Sequence, residues 1–325
     1  MSAIPWIGND FVESINIIVL SSLPTIGVVS PHALKKGKKI RSNKSEFLSI
    51  PSSFLAKLVG FIDGDGYILI HKTDKGFIKL NLTISLDIRD LSLLHHIQST
   101  LGLGIINTYP KTKNPKICKL VINRTDLQEI LFPLLIHHNL FFLTSTRREQ
   151  FNKAMYILEK DIKLFSEIPQ IVPNLYPLPK TALGYTSILF FKNWIVGFTE
   201  ARGSCQIFLN QQDSIKLEFS IVLHIKETLI LNIIKDTLNA GSVKLLNESN
   251  KVKYQINKDE ELKNKILPIF GEYPLLTTNL LDYYDFKKAL ILKNSKKKRS
   301  EIYLEIKEIK NRLDKRKNIK KITEL

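Results

Sequence analysis

Cysteine is nearly absent: Cys118 and Cys205 are the only two in 325 residues, and they stand in unrelated contexts. That argues against a disulfide framework and against a cysteine-based zinc site. Long apolar runs are missing too. Ile15 to Leu23 is stopped by Pro24 and falls far short of the roughly 20 apolar residues that cross a bilayer, so no membrane partner is expected. Acidic residues are scarce, 31 Asp and Glu against 48 Lys and Arg, which leaves a formal charge of +17. Nucleic acid is the leading partner for such an excess, ahead of an anionic membrane surface. What is present is apolar material, 44% of the chain, ample for packed cores. The length suits two domains of roughly 110 to 150 residues, and the abundance of Ile, Lys and Asn suits an AT-rich organellar genome.

One stretch occurs twice. Leu58-Val59-Gly60-Phe61-Ile62-Asp63-Gly64-Asp65-Gly66 leads into Tyr67-Ile68-Leu69-Ile70, and Ile195-Val196-Gly197-Phe198-Thr199-Glu200-Ala201-Arg202-Gly203 leads into Ser204-Cys205-Gln206-Ile207-Phe208. Each copy reads as an apolar helix end passing through an acidic segment and a glycine into a strand. Taken alone, Asp63-Gly64-Asp65-Gly66 reads equally well as a hairpin turn. A calcium loop would need a third carboxylate and a distal Glu that are absent. Two copies in register favour the helix-to-strand reading. Gly60 and Gly64, and Gly197 and Ala201, are small residues four apart. They share one helix face and let two helix backbones approach.

The flanks repeat as well. Leu80, Leu82, Ile84 and Leu86 alternate with Lys79, Asn81, Thr83 and Ser85, and Ile215, Leu217, Phe219 and Ile221 alternate with Lys216, Glu218 and Ser220. A period of two predicts half-buried strands, apolar side inward and polar side outward. Helices are predicted over 90–101, 126–135 and 147–158, strands over 104–109 and 116–122, and a second helix of the first type over 227–238. Asp90 and Glu227, Leu101 and Leu238, and Gly104 and Gly241 keep the offset of the two motifs, so an α/β unit is duplicated. The predicted organisation is an N-terminal extension and linker at 1–50, a first module at 51–160, a Pro-rich linker at 161–187, a second module at 188–292, and a basic helical tail at 293–325. Ile302, Ile306, Ile309 and Leu313 form a stripe that would dock the tail. His95-His96 and His137-His138 are adjacent pairs, pointing about 100° apart on a helix, a poor arrangement for chelation.

The repeated stretch resembles the LAGLIDADG motif of the double-motif homing endonucleases and intron maturases. That resemblance implies two αββαββα modules related by a pseudo-twofold axis, their motif helices packed together and their sheets forming a saddle-shaped surface over nucleic acid. It also implies a metal-binding carboxylate at the eighth motif position of each copy, with magnesium the fitting ion because it takes few protein ligands. Asp65 fills the first such position, with the Gly64 backbone carbonyl as a further ligand. The second position is Arg202, which cannot bind a cation because guanidinium stays protonated and has no acceptor. Glu200 matches Asp63 and is expected to order the helix ends. Family members carry a lysine near the scissile phosphate where this chain has Thr144 and Asn279; Arg147 or Arg148 are candidate substitutes.

Nucleic acid is expected against Lys79, Asn81, Thr83, Ser85, Lys216, Glu218 and Ser220, and against Lys296, Lys297, Lys298 and Arg299 of the tail. Ser2 to Val12 resembles an exon-encoded segment of mitochondrial cytochrome b, which implies an intron reading frame continued from an upstream exon. The resulting expectation is a monomeric, mitochondrial matrix protein that binds its group I intron RNA and assists splicing, with Mg2+ at one intact site. The alternative is a DNA homing endonuclease that cuts or nicks double-stranded DNA at an intron insertion site; the third is a sequence-specific DNA-binding remnant. Whichever holds, binding should be strongly electrostatic. Each phosphate contact should contribute about −0.9 to the slope of log K against log salt on duplex DNA. Titrations across salt concentrations measure that slope, and a flat line would point to a different partner.

Overall fold

A computed structural model describes residues 47–111, 114–174, 184–185, 188, 190–210, 214–246, 250–272 and 275–324. The exon-like segment, the basic run before residue 45 and much of the Pro-rich linker lie outside the described residues.

Helix α1, Ser52–Asp65, follows Pro51, whose fixed φ of −59° suits the entry to a first turn. Beyond that turn it is apolar on nearly every side, burying Leu55, Ala56 and the run Leu58 to Gly64. A helix of that kind belongs inside a protein rather than on its surface. It ends directly in β1, Gly66–Lys72, which pairs antiparallel with β2, Ile78–Asp87. Helix α2, Leu91–Leu101, buries Leu93, Leu94, Ile97 and Leu101 against the sheet and stops at Gly102, a left-handed C-cap. Strands β3, Ile105–Tyr109, and β4, Ile117–Asn123, complete a sheet of order β1-β2-β4-β3. A helical stretch from Arg124 runs through a π turn at Leu127–Leu131 into α3, Phe132–His137, and α4, Ser145–Glu159, closes the unit.

The unit then repeats: α5 Phe191–Arg202, β5 Gly203–Leu209, β6 Ile215–His224, α6 Thr228–Leu238, β7 Ser242–Leu246, β8 Lys251–Ile256, a second π turn into α7 Leu267–Glu272, and α8 Asn279–Lys293. Its sheet has the order β5-β6-β8-β7. Asn239, in the left-handed region, ends α6 where Gly102 ends α2; after Gly, Asn is the residue most tolerant of that conformation.

Between the two units, α1 and α5 pack backbone to backbone. A Cβ on Gly60 would lie 2.0 Å from the Trp194 carbonyl oxygen, one on Gly197 would lie 1.9 Å from the Lys57 carbonyl oxygen, and one on Gly64 would lie 2.3 Å from the Ala201 Cβ. Nothing larger than hydrogen fits at these positions. Outside the contact, Phe191, Trp194 and Phe198 stack in sequence, Trp194 and Phe198 with centroids 4.6 Å apart.

Two connections add to the paired modules. Residues 163–165 run beside the β1–β2 turn, with Ile78 N donating to the Lys163 carbonyl and Phe165 N to that of Gly76. The tail helix α9, Arg299–Glu324, buries the stripe Ile302, Ile306, Ile309 and Leu313. Arg316 bridges from it to Asp282 and Asp285 of α8, and its carbonyl accepts from Arg89 of the first module.

Gly60→Ala or Gly197→Ala should therefore lower the melting temperature, with overpacking costing about 1–3 kcal/mol or more. Gly271→Ala is the control: an added methyl there meets nothing within 4 Å and should be neutral or slightly stabilising in a helix. Thermal unfolding of the three variants checks the contrast, and equal melting temperatures would remove the case for a tight helix contact.

Candidate active centre and nucleic-acid interface

The last residues of α1 and α5 meet at one point because the glycine contact draws the two helix ends together. Arg202 reaches across from α5 and donates from Nε at 3.0 Å and from Nη2 at 2.6 Å to the Gly64 carbonyl. The same Nε lies 3.5 Å from Asp65 Oδ1. A carbonyl in the last turn of a helix lacks an intrahelical donor and carries partial negative charge, so a cation is well placed there. The cation present is the chain's own guanidinium, on the oxygen expected to face a metal. Arg147, from α4, donates from Nε to the Ile62 carbonyl at 3.3 Å and from Nη1 to Gln150 at 2.9 Å. Burial lowers its pKa, Asp63 opposes that, and Arg202 adds to it; the two arginines therefore sense each other across the helix ends. Arg148, the other candidate substitute, is buried with its guanidinium 4.5 Å from the Phe141 ring centroid.

The other motif carboxylates serve the scaffold. Asp63 is buried and accepts from Leu143 N, Thr144 N, Thr144 Oγ1 and Trp194 Nε1. Burial raises its pKa to about 6, although all four donors pull the other way. Its counterpart Glu200 accepts from Leu276 N and Thr277 N, and burial again raises the pKa against those bonds. Thr144 and Asn279 are engaged in the same network: Thr144 Oγ1 donates to Asp63 and Asn279 Nδ2 donates to the Glu200 carbonyl.

A second pair of acids crosses between modules. Glu227 takes Ser145 N, Thr146 N and Thr146 Oγ1 at the start of α4, while Asp90 takes Thr278 N and Oγ1 at the start of α8. Each module thus caps a helix of the other with a carboxylate, where the helix dipole favours negative charge. Burial opposes ionisation of Glu227, but the bonds from Thr146 and Ser145 outweigh it and hold the pKa below the usual range.

The outward sheet faces differ from the sequence expectation. Asn81, Thr83, Glu218 and Ser220 are buried, not solvated, because β2 and β6 are inner strands and side chains of both neighbours close over them. Thr83 Oγ1 donates to Asn81 Oδ1, and Glu218 lies between Lys216 at 3.2 Å and Lys253 at 2.5 Å. Burial opposes ionisation of Glu218, but the two lysines overcome it and hold the pKa low. Lys79 and Lys216 are exposed and Ser85 is half-buried. In the tail, Lys296, Lys298 and Arg299 are exposed, whereas Lys297 is paired with Glu305. Farther along, Lys310, Arg312 and Arg316 are paired with acids, so the tail is less of a cationic surface than its composition suggests. Lys244, Lys251 and Lys253 of β7 and β8 were not singled out by sequence reasoning. Strand register puts them on the same face as Lys216, and their alternation along two short strands was the available signal.

A family model described as LAGLIDADG endonuclease matches residues 58–168 and 195–290. The chain belongs to the LAGLIDADG endonuclease family. Among curated relatives, the probable intron-encoded endonuclease Cox1-I1b of Schizosaccharomyces pombe is 27% identical over 207 residues, 54% of this chain and 54% of that protein. The uncharacterized mitochondrial protein RF1 of Saccharomyces cerevisiae is 33% identical over 102 residues, 31% of this chain and 21% of that protein. The chain thus spans about half, or less, of the length of these relatives. The solved structure of I-SmaMI bound to uncleaved DNA target in the presence of calcium ions superposes with a TM-score of 0.64 at 20% identity, over 80% of this chain and 98% of that one. At that identity the likeness is one of fold: two four-stranded antiparallel sheets in a double-motif LAGLIDADG arrangement.

LAGLIDADG endonucleases are metal-dependent, and a divalent ion between the Asp65 carboxylate and the Gly64 carbonyl would have to displace the Arg202 guanidinium. One carboxylate and one carbonyl remain, and both face Arg202. A divalent ion about 4 Å from a guanidinium is repelled by about 2 kcal/mol in water and about 8 kcal/mol at an effective dielectric of about 20. Among the described residues no group of three or more His, Cys, Asp or Glu side chains offers another site.

The Asp63 network yields a sharp test. Its four partners all donate, so Asp63→Asn turns an amide nitrogen toward donors and should cost about 1–3 kcal/mol. The folded state holds the Asp63 proton to about pH 6 against an ordinary 3.8, so that group's contribution to stability falls as pH rises between those values and is flat above. Denaturant unfolding of both proteins across that window isolates the group: the stability of the unmodified protein relative to Asp63→Asn should fall as pH rises from about 4 to about 6 and level off above.

Proposed function

We propose that the chain is an intron maturase: it binds group I intron RNA across its two sheets and stabilises the spliceable fold while the RNA supplies the chemistry. The observation that carries this reading is the Arg202 guanidinium seated on the Gly64 carbonyl beside Asp65. A centre built to hydrolyse both strands of a duplex needs a carboxylate from each motif, and here the second has become the cation that occupies the first motif's free carbonyl. What remains is a charged binding surface. Lys216, Lys244, Lys251 and Lys253 lie on one sheet face, and the Glu218 carboxylate holds two of them at a set spacing for phosphate contacts. Arg202 itself is exposed and has donors enough to take a phosphate oxygen as well.

The cytochrome b intron as target rests on the resemblance of Ser2 to Val12, and a mitochondrial setting is supported by that resemblance and by the description of the yeast relative. The second reading is a DNA endonuclease reduced to nicking. It is favoured by the retained Asp65 and by the description of the fission-yeast relative as a probable endonuclease.

Two assays separate these readings: cleavage of a cognate-site plasmid in magnesium buffer, and splicing of the precursor RNA. The unmodified protein should splice and should not make efficient double-strand breaks. Asp65→Asn should leave splicing intact and abolish any nicking. Arg202→Asp frees the Gly64 carbonyl and restores the family carboxylate, so partial cleavage should appear; it stays partial because Thr144 and Asn279 supply no positive charge. Efficient double-strand cleavage by the unmodified chain would falsify the maturase reading.

A further inference from the structure

The two sheets carry equivalent strands in equivalent register, yet their outward faces differ in chemistry. The row nearest the first motif helix end runs Tyr67, Thr83, Val121, Ile105 across β1, β2, β4 and β3. The matching row in the second module runs Ser204, Ser220, Gln255, Ser242. One row is aromatic and β-branched around a single threonine; the other is wholly polar. The next rows extend the contrast. Where the first sheet has Asn107 and Ile117 beside Lys119, the second has Lys244 and Lys251 beside Lys253.

Ile105 is 64% exposed and Tyr109 is 38% exposed, on an edge strand where apolar side chains gain nothing from water. Lys119 Nζ lies 5.3 Å from the Tyr109 ring centroid, so a cation stands beside an open aromatic face. The second sheet has exposed apolar side chains as well, Phe208, Val222 and Leu246, but cross-strand pairing sets each beside a lysine rather than beside another apolar group.

We infer that the two sheets bind different parts of one RNA: the β1–β4 face takes unpaired bases, and the β5–β8 face takes the phosphate backbone of a paired segment. The inference rests on the RNA-binding reading above. An A-form helix hides its base edges in a deep, narrow major groove, so a sheet meets RNA bases where they are unpaired and can lie on aromatic and apolar side chains. A paired segment offers a phosphate array, which suits Lys244, Lys251 and Lys253. The first face has apolar platforms with a flanking cation; the second has closely spaced cations and short polar side chains.

The probes are an RNA hairpin with an unpaired arm, the same hairpin without the arm, and duplex DNA, each titrated over a range of salt. Ile105→Ser combined with Tyr109→Ser should weaken binding of the armed hairpin about tenfold, leave its salt slope unchanged, and leave the armless hairpin unaffected. Lys244→Ala combined with Lys251→Ala should weaken both hairpins and flatten the slope by about 1.8. Melting temperatures of both variants guard against unfolding as the cause. The inference is overturned if the apolar variant binds the armed hairpin as well as the unmodified protein does. It is equally overturned if that variant loses as much on the armless hairpin or on duplex DNA. An unmodified protein that binds duplex DNA and neither hairpin overturns the RNA-binding reading together with the inference, whereas hairpin binding that ignores the apolar residues sinks only the division between the sheets.

Discussion

The contact on which the rest of this protein depends is the approach of two helix backbones with no side chain between them. Gly60 rests on the Trp194 carbonyl and Gly197 on that of Lys57. Everything at the functional centre inherits that spacing. Because α1 and α5 touch along their glycine faces, their C-terminal ends converge, and a side chain at the end of one can reach the backbone of the other. Because each helix runs without a loop into the first strand of a sheet, the same contact fixes where both sheets stand relative to the centre.

A contact so intolerant of bulk needs other interactions to keep the modules from rotating about it, and buried acids supply them. Asp63 and Glu200 tie each motif helix to the segment that opens its own module's last helix. Asp90 and Glu227 do the same across the module boundary. A buried carboxylate is costly unless its oxygens are filled with donors, and these four are aimed at helix starts, where backbone N–H groups lack partners. The chain has few acids for its size, and several of them are committed inside. Acids committed to these buried caps do not neutralise surface lysines, so part of the +17 excess stays on the strands, beside the pairs that Glu218 makes with Lys216 and Lys253.

Arg202 bridges the ends of the two motif helices. The position sits at a helix C-terminus opposite a carbonyl, a place that favours a cation whether it arrives from solution or on a side chain. A guanidinium there satisfies the Gly64 oxygen and screens Asp65, so the two motif-helix ends are held to each other.

The duplication, the strand and helix order, the small residues at the helix contact and the arginine at the end of the second motif helix were all legible in the sequence. Each depends on local spacing: a period of two for strands, glycine four residues from a small neighbour, an arginine where the pattern has an acid. The tail stripe was legible for the same reason. Burial of Asn81, Thr83, Glu218 and Ser220 was not, because alternation says which side of a sheet a residue faces and nothing about what covers that side on an inner strand. Neither were the partners of Asp90 and Glu227, whose matched positions were visible although the helices they cap belong to the opposite module. The pairing of Lys297 and Arg316 with acids in the tail and in α8, and the grip of Arg202 on a carbonyl of the other motif helix, likewise needed the folded chain. Sequence spacing determined the elements and their repetition because those depend on neighbours along the backbone; charge pairing, coverage and the state of the centre were decided by tertiary structure, because they depend on groups that meet only after the two modules have closed on each other.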